Sequence, residues 1–153
     1  MKLLFTLVIS TTILISCLTA KNQGFTTPHQ GIKGYVTENQ GNRMPMKQIE
    51  QKVSKGLQCR ILIFESTSIN DTKPNYISNL YEIIRTKQVG FVETDSTGQF
   101  SVELPEGKYS LFIKQGDKFY ANIFNQYNQI ALFEVLPNQF TEAHLTLNRG
   151  ATY

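Results

Sequence analysis

Along the second half of the chain, apolar and polar residues alternate with a period of two. Phe100, Val102 and Leu104 are separated by Ser101 and Glu103. Tyr109, Leu111 and Ile113 are interleaved with Ser110 and Phe112, and Lys114 follows. Ala143, Leu145 and Leu147 are separated by His144 and Thr146. Side chains two apart share one face of a strand, so this pattern predicts strands with one apolar face. The stretch Gly31–Glu38 repeats it, with Ile32, Gly34 and Val36 on one side and Lys33, Tyr35 and Thr37 on the other. Cys59 to Glu65 is instead a continuous apolar run, as expected of a central strand. Phe119–Phe124 and Ile130–Leu136 supply two more segments.

Turn chemistry separates these segments. Asp95-Ser96-Thr97-Gly98, Pro105-Glu106-Gly107, Gln115-Gly116-Asp117-Lys118 and Pro137-Asn138-Gln139 fall between them. About seven short strands, roughly ten residues apart and joined by tight turns, predict an all-β, antiparallel β-sandwich. Asn39–Leu57, with Met44, Pro45 and Met46, reads as a long loop, and Ser66–Asn75 reads as turn-rich. Ile77, Leu80, Tyr81 and Ile84 fit the spacing of a short helix. Strand is equally open for residues 77–83 and is favoured from about Ile84 onward.

The N-terminus follows a different pattern. Met1-Lys2 precedes Leu3–Ile15, a run of 13 residues made only of apolar residues, Ser and Thr. One positive charge and a short apolar core predict a signal peptide over residues 1–16. A bilayer span needs about 20 residues. Leu14-Ile15-Ser16-Cys17 resembles a bacterial lipobox, which makes Cys17 the lipidation site. The alternative cleavage after Ala20 puts bulky Leu18 at the third position before the cut. Residues 17–29 then form a lipidated cysteine and a polar tether, with the domain at 30–149. Acyl chains contribute about 0.8 kcal/mol per buried methylene, so such an anchor holds stably to a membrane. Leu18, rather than an Asp, after the cysteine favours the outer membrane of a cell envelope with two membranes.

Composition narrows the partners. The chain of 153 residues carries a formal charge of +3, and loss of the leader removes only Lys2, leaving +2. Basic and acidic residues are interspersed, which argues against nucleic acid. Of the two cysteines, Cys17 and Cys59, the first is claimed by the anchor. Cys59 then reads as a buried small hydrophobe rather than half of a disulfide.

Thr94–Ile113 (TDSTGQFSVELPEGKYSLFI) resembles the central signature of carboxypeptidase regulatory-like domains. The signature positions are filled by Asp95, Gly98, Phe100, Leu104, Pro105, Gly107, Tyr109 and Leu111, and Gly31–Val36 is similar to that family's first strand. The resemblance implies a seven-stranded Greek-key sandwich of transthyretin-like type. It also implies a non-enzymatic accessory module that binds an envelope protein or supports an assembly, without cofactor.

Two alternatives accompany that expectation. Phe119, Tyr120, Phe124 and Tyr127, within KFYANIFNQYNQ, form a candidate binding surface for a protein or for a glycan such as peptidoglycan. A partial resemblance to transthyretin-like 5-hydroxyisourate hydrolases rests on His29, Arg60, His144 and Asn148-Arg149-Gly150-Ala151. It departs from that family's terminal motif at Asn148 and Ala151, and His144 lies too close to Arg149. Two distant histidines give no metal spacing, and no catalytic metal is expected. Asp95 reads as a turn cap rather than a calcium ligand.

Overall fold

The computed structural model describes residues 29–40, 55–75 and 79–149. The leader, Cys17, the tether before His29, the interior of the 39–57 loop and Ile77 lie outside the described residues. The fold is an all-β sandwich of two sheets. In chain order the strands are β1 (Gly31–Gln40), β2 (Lys55–Gly56), β3 (Arg60–Glu65), β4 (Thr72–Asn75), β5 (Leu80–Ile84), β6 (Gln88–Glu93), β7 (Gln99–Glu103), β8 (Gly107–Gln115), β9 (Lys118–Tyr120), β10 (Leu132–Val135) and β11 (Phe140–Arg149). A 3₁₀ turn sits at Ile69–Asp71.

The small sheet has the order β11-β1-β2, with β7 also pairing β1. The large sheet has the order β4-β5-β9-β8-β3-β6, with β10 added on β8. Every pairing is antiparallel except one: β1 and β11 run parallel and in register, from Gly31↔Phe140 to Gln40↔Arg149. Parallel neighbours cannot be joined by a tight turn, and here the rest of the domain is the connection between them.

The alternation sorts the small sheet's faces. Ile32 and Val36 of β1, Ala143, Leu145 and Leu147 of β11, and Phe100 of β7 all point into the inter-sheet core. They meet Ile61, Ile63, Tyr109, Leu111, Ile113 and Tyr120 of the large sheet. Complete burial of an aliphatic side chain of this size contributes about 1.5–3 kcal/mol.

The large sheet is buried on its other face too. Leu62, Phe64, Tyr81, Phe112, Ala121, Ile130 and Ala131 form a second core there. Phe112 is met edge-on by Phe64 and by Tyr81, each with ring centroids 5.6 Å apart. Burial, followed by the neighbouring Tyr120, pushes the Tyr81 phenol up to about 12. This double coverage explains why β3 reads as an unbroken apolar run.

The cover is made partly by residues 121–131. β9 and β10 lie along the same edge of β8, and the chain between them leaves the ladder and folds back. So Phe119–Phe124 is not one strand: it ends at Tyr120, and the next strand starts at Leu132, with isolated bridges Phe124↔Ile130 and Ser68↔Gln129 between them. Buried hydroxyls fasten the excursion. Thr67 accepts the Ile130 N–H at its carbonyl (2.9 Å), and its own N–H donates to Ser110 Oγ (3.0 Å). Thr67 Oγ1 donates to the Glu65 carbonyl at 2.7 Å and lies 2.6 Å from Thr86 Oγ1.

Three segments differ from the pattern's expectation. The open stretch resolves as strand from Leu80 to Ile84, then breaks before β6. The turn-rich 66–75 segment ends in β4, which carries Pro74 at the sheet edge, where a missing N–H is tolerated. Among the described residues, very short strands raise the number to eleven, against about seven expected from the spacing.

The signature turns are built by side chains. Asp95 Oδ1 accepts from the backbone N–H of Thr97 (2.8 Å) and of Gln99 (2.9 Å) and from Thr97 Oγ1 (2.7 Å). Gly98 takes φ +84°, and a Cβ there would lie 2.3 Å from the Val36 carbonyl oxygen. Buried Thr94 accepts the Cys59 N–H (2.7 Å) and donates to the Leu57 carbonyl (2.7 Å), fixing the entry to β3. The Tyr109 hydroxyl donates to the Pro105 carbonyl at 3.1 Å and closes the turn into β8.

One position controls the β1–β11 contact. A Cβ on Gly34 would lie 1.7 Å from the Ala143 carbonyl oxygen. Gly34→Ala is therefore expected to destabilise the domain by at least about 1–3 kcal/mol, as overpacking does. Urea unfolding of the variant against the parent chain measures it; an unchanged midpoint would contradict the close approach.

Candidate functional site

Turning the apolar residues of β1 and β11 inward leaves their polar partners on the outer face. Parallel, in-register pairing then sets like position beside like position. Lys33 lies beside Glu142 (Nζ to Oε1 3.9 Å), and Thr37 Oγ1 lies 3.3 Å from Thr146 Oγ1. Asn39 Nδ2 donates to Asn148 Oδ1 at 3.2 Å. Between these pairs, Tyr35 and His144 stack, with ring centroids 4.2 Å apart and planes 29° apart. β7 adds Ser101 opposite Lys33 and Gln99 opposite Tyr35.

These side chains surround an open concavity of about 510 Å³. Its lining comprises Lys33, Tyr35, Thr97, Gln99, Ser101, Glu142 and His144 around Gly34 and Phe100. Gly34 has no side chain and Phe100 turns its ring into the core, so both present backbone to the concavity. Tyr35 is 41% exposed, a large apolar ring kept at the surface. The site thus combines a stacked aromatic pair with hydroxyl, amide, ammonium and carboxylate groups, all held on paired strands except Thr97, which lies in the turn before β7. Such an arrangement has the groups to bind and orient a ligand.

The four aromatics singled out from the sequence do not form one surface. Phe119 packs edge-on against Phe64 (5.8 Å) beside the second core. Tyr120 is buried in the inter-sheet core, and its hydroxyl accepts the Asn148 N–H of β11 at 3.2 Å. Only Phe124 and Tyr127 stand outside, Tyr127 at 72% exposure. Their loop is held from within by Asn125. Its Oδ1 accepts the N–H of Tyr127 and of Gln129 (each 3.0 Å), and its Nδ2 donates to Gln129 Oε1 (2.8 Å). The surface read from KFYANIFNQYNQ is thus reduced to Phe124 and Tyr127.

The residues behind the hydrolase resemblance are also dispersed. His144 lies on the outer face of the small sheet. Arg60 precedes Ile61 on β3 and points to the opposite side of the sandwich, where it pairs with Glu93 (2.6 Å) and covers the Phe91 ring (4.9 Å). His29 sits before β1 against Glu103 (3.6 Å) and Phe140. Tyr35, adjacent to His144, was not singled out by the sequence, because their pairing spans 109 positions and appears only in the register.

Cys59 is a free, half-buried thiol. Burial pushes its thiol up, partly offset by the Thr94 hydroxyl. Among the described residues, no group of three His, Cys, Asp or Glu is placed to hold a metal ion. No helix among them is long and apolar enough to cross a membrane. No protein-family model, curated protein or solved structure matches the chain.

Two predictions follow from the titrating groups. Because the raised Cys59 pKa leaves little thiolate near neutral pH, alkylation by iodoacetamide should run several-fold slower than for free cysteine. Mass spectrometry of a time course measures it, and a rate at or above that of free cysteine would refute the packing. The hydrogen bonds from Thr97 and Gln99 hold the Asp95 carboxyl below the ordinary aspartate range. Its pKa is lower folded than unfolded, so its contribution is full above the unfolded value and is lost as pH falls through the folded value. Asp95→Asn should flatten the acid limb of the stability curve below about pH 4. Melting curves across that range for both proteins test it.

Proposed function

We propose that the chain is a tethered, non-enzymatic recognition module of the cell envelope. It is carried on a lipid anchor at Cys17 and uses the outer face of its small sheet as the working surface. The observation that carries this reading is the concavity around Tyr35 and His144, whose groups are fixed by the β1, β7 and β11 ladders and, for Thr97, by the Asp95 turn. Groups held this way lose little conformational entropy on binding. The turn chemistry at Thr94, Asp95, Gly98 and Tyr109 supports grouping the domain with the carboxypeptidase regulatory-like modules it resembles. The leader and the lipobox-like Leu14-Ile15-Ser16-Cys17 support export and anchoring at the outer membrane.

Anchoring and recognition are tested separately. In cells fed a clickable fatty acid, the full chain is expected to carry the label and Cys17→Ala to lose it entirely. Equal labelling of both proteins would defeat the anchor. A photo-crosslinking residue in place of Ser101, on the working face, should give discrete adducts in intact cells. The same residue in place of Gln88, on the large sheet's edge strand, should give few. Equal adduct patterns at the two positions would defeat the assignment of the face.

A further inference from the structure

We infer that the concavity around Tyr35 and His144 is a carbohydrate site, taking a neutral pyranose ring of an extended oligosaccharide. The inference rests on the reading of this face as the recognition surface and specifies the ligand class.

The argument begins with the stacked pair. Two near-parallel rings 4.2 Å apart leave an outer π-face on each side. An aromatic face carries partial negative charge and attracts polarised C–H groups. A pyranose with equatorial hydroxyls presents this surface: axial C–H bonds on its faces and a rim of hydroxyls. A phosphate has no C–H face, and in a peptide only a proline ring offers a comparable one.

The rim of the site matches the rim of the sugar. Gln99 supplies a donor and an acceptor, Ser101 and Thr97 supply hydroxyls, Glu142 accepts and Lys33 donates. Each can exchange a bond to water for one to a hydroxyl. Charge narrows the choice further. Lys33 and Glu142 lie 3.9 Å apart and offset one another, so the site has no surplus charge for an anion or a cation. A volume of about 510 Å³ accommodates a sugar ring, and the concavity is open, so a chain can run past it in both directions. The outer polar ladder continues along β1 and β11 through Thr37–Thr146 and Asn39–Asn148, a track for the neighbouring sugars.

Calorimetry with cellohexaose and chitohexaose tests this on the intact chain. Binding of at least one is expected, in the high-micromolar to millimolar range typical of open sites, which corresponds to about −4 to −6 kcal/mol. Tyr35→Ala should weaken it more than about tenfold, and Tyr35→Phe, which keeps the ring, should restore most of it. Tyr127→Ala should leave it unchanged. Because Tyr35 is a surface residue, retained unfolding midpoints will show that the loss is not one of folding. An axially hydroxylated mannohexaose should bind more weakly than the equatorial probes.

Absence of binding by both equatorial probes would overturn the inference, as would binding insensitive to Tyr35→Ala or abolished by Tyr127→Ala. Binding confined to an acidic N-acetylglucosamine–N-acetylmuramic acid disaccharide would overturn the neutral-ligand assignment. The broader reading falls separately. Blank glycan titrations with selective crosslinks at position 101 would remove the sugar and keep the recognition face. Blank titrations with no positional selectivity would remove both.

Discussion

The fold depends on the parallel, in-register pairing of β1 with β11. The two strands lie at opposite ends of the domain's sequence, yet they share ten consecutive register positions. On the inward face, Gly34–Ala143 and Val36–Leu145 set apolar residues side by side, whereas Ile32 meets Thr141 and Glu38 meets Leu147. A slip of one residue along either strand would set core residues against polar ones, so the inter-sheet core fixes the register. Gly34 permits the close approach that the pairing requires. The entropy of closing so long a loop must be met before these contacts repay it.

The same pairing makes the candidate site. Tyr35 and His144 are unremarkable alone: each is a polar-face residue of an alternating strand. Register brings them to stacking distance, and β7, pairing the other side of β1, brings Gln99 and Ser101 alongside. The inner face holds the strands, and the outer face is thereby free to carry chemistry at fixed spacing. This division is why a change on the outer face can alter its chemistry without altering the core.

Much of this was legible from the residues, for identifiable reasons. The alternation in Gly31–Glu38, Phe100–Leu104 and Ala143–Leu147 marks the two faces, because a period of two leaves few other arrangements. The turn at Asp95–Gly98 was legible because its chemistry is local: the carboxylate reaches N–H groups only two and four positions away. The aromatic segment 119–127 was not. Its pattern is compatible with a strand, but the chain leaves the ladder after Tyr120 to cover Leu62, Phe64 and Phe112. What drives that excursion is the apolar outer face of the large sheet, a demand made by residues more than fifty positions upstream as well as by β8. Alternation also cannot say which aromatic faces solvent when both faces of a sheet are buried, and so Tyr120 and Tyr127 looked equivalent.

The two cores therefore impose different constraints on surface aromatics. At the centre of the large sheet, an outward ring such as Phe112 or Phe64 has a second layer to pack against and is buried, whereas Phe91 and Ile83 toward its edges stay exposed. No such layer of described residues lies over Tyr35, and its neighbours Lys33, Gln99, Glu142 and Thr37 are polar. The Tyr35 ring has His144 as its cross-strand support, a contact worth about 0.5–1.5 kcal/mol for a favourable ring pair. That stabilises the ring's orientation while leaving Tyr35 nearly half exposed. An oriented, partly dry aromatic among groups that already hydrogen-bond to water has little to lose on meeting a ligand and apolar surface still to bury. Among the described residues the two outer faces therefore differ: the centre of the large sheet is covered by residues 121–131, and the small sheet's outer face is not.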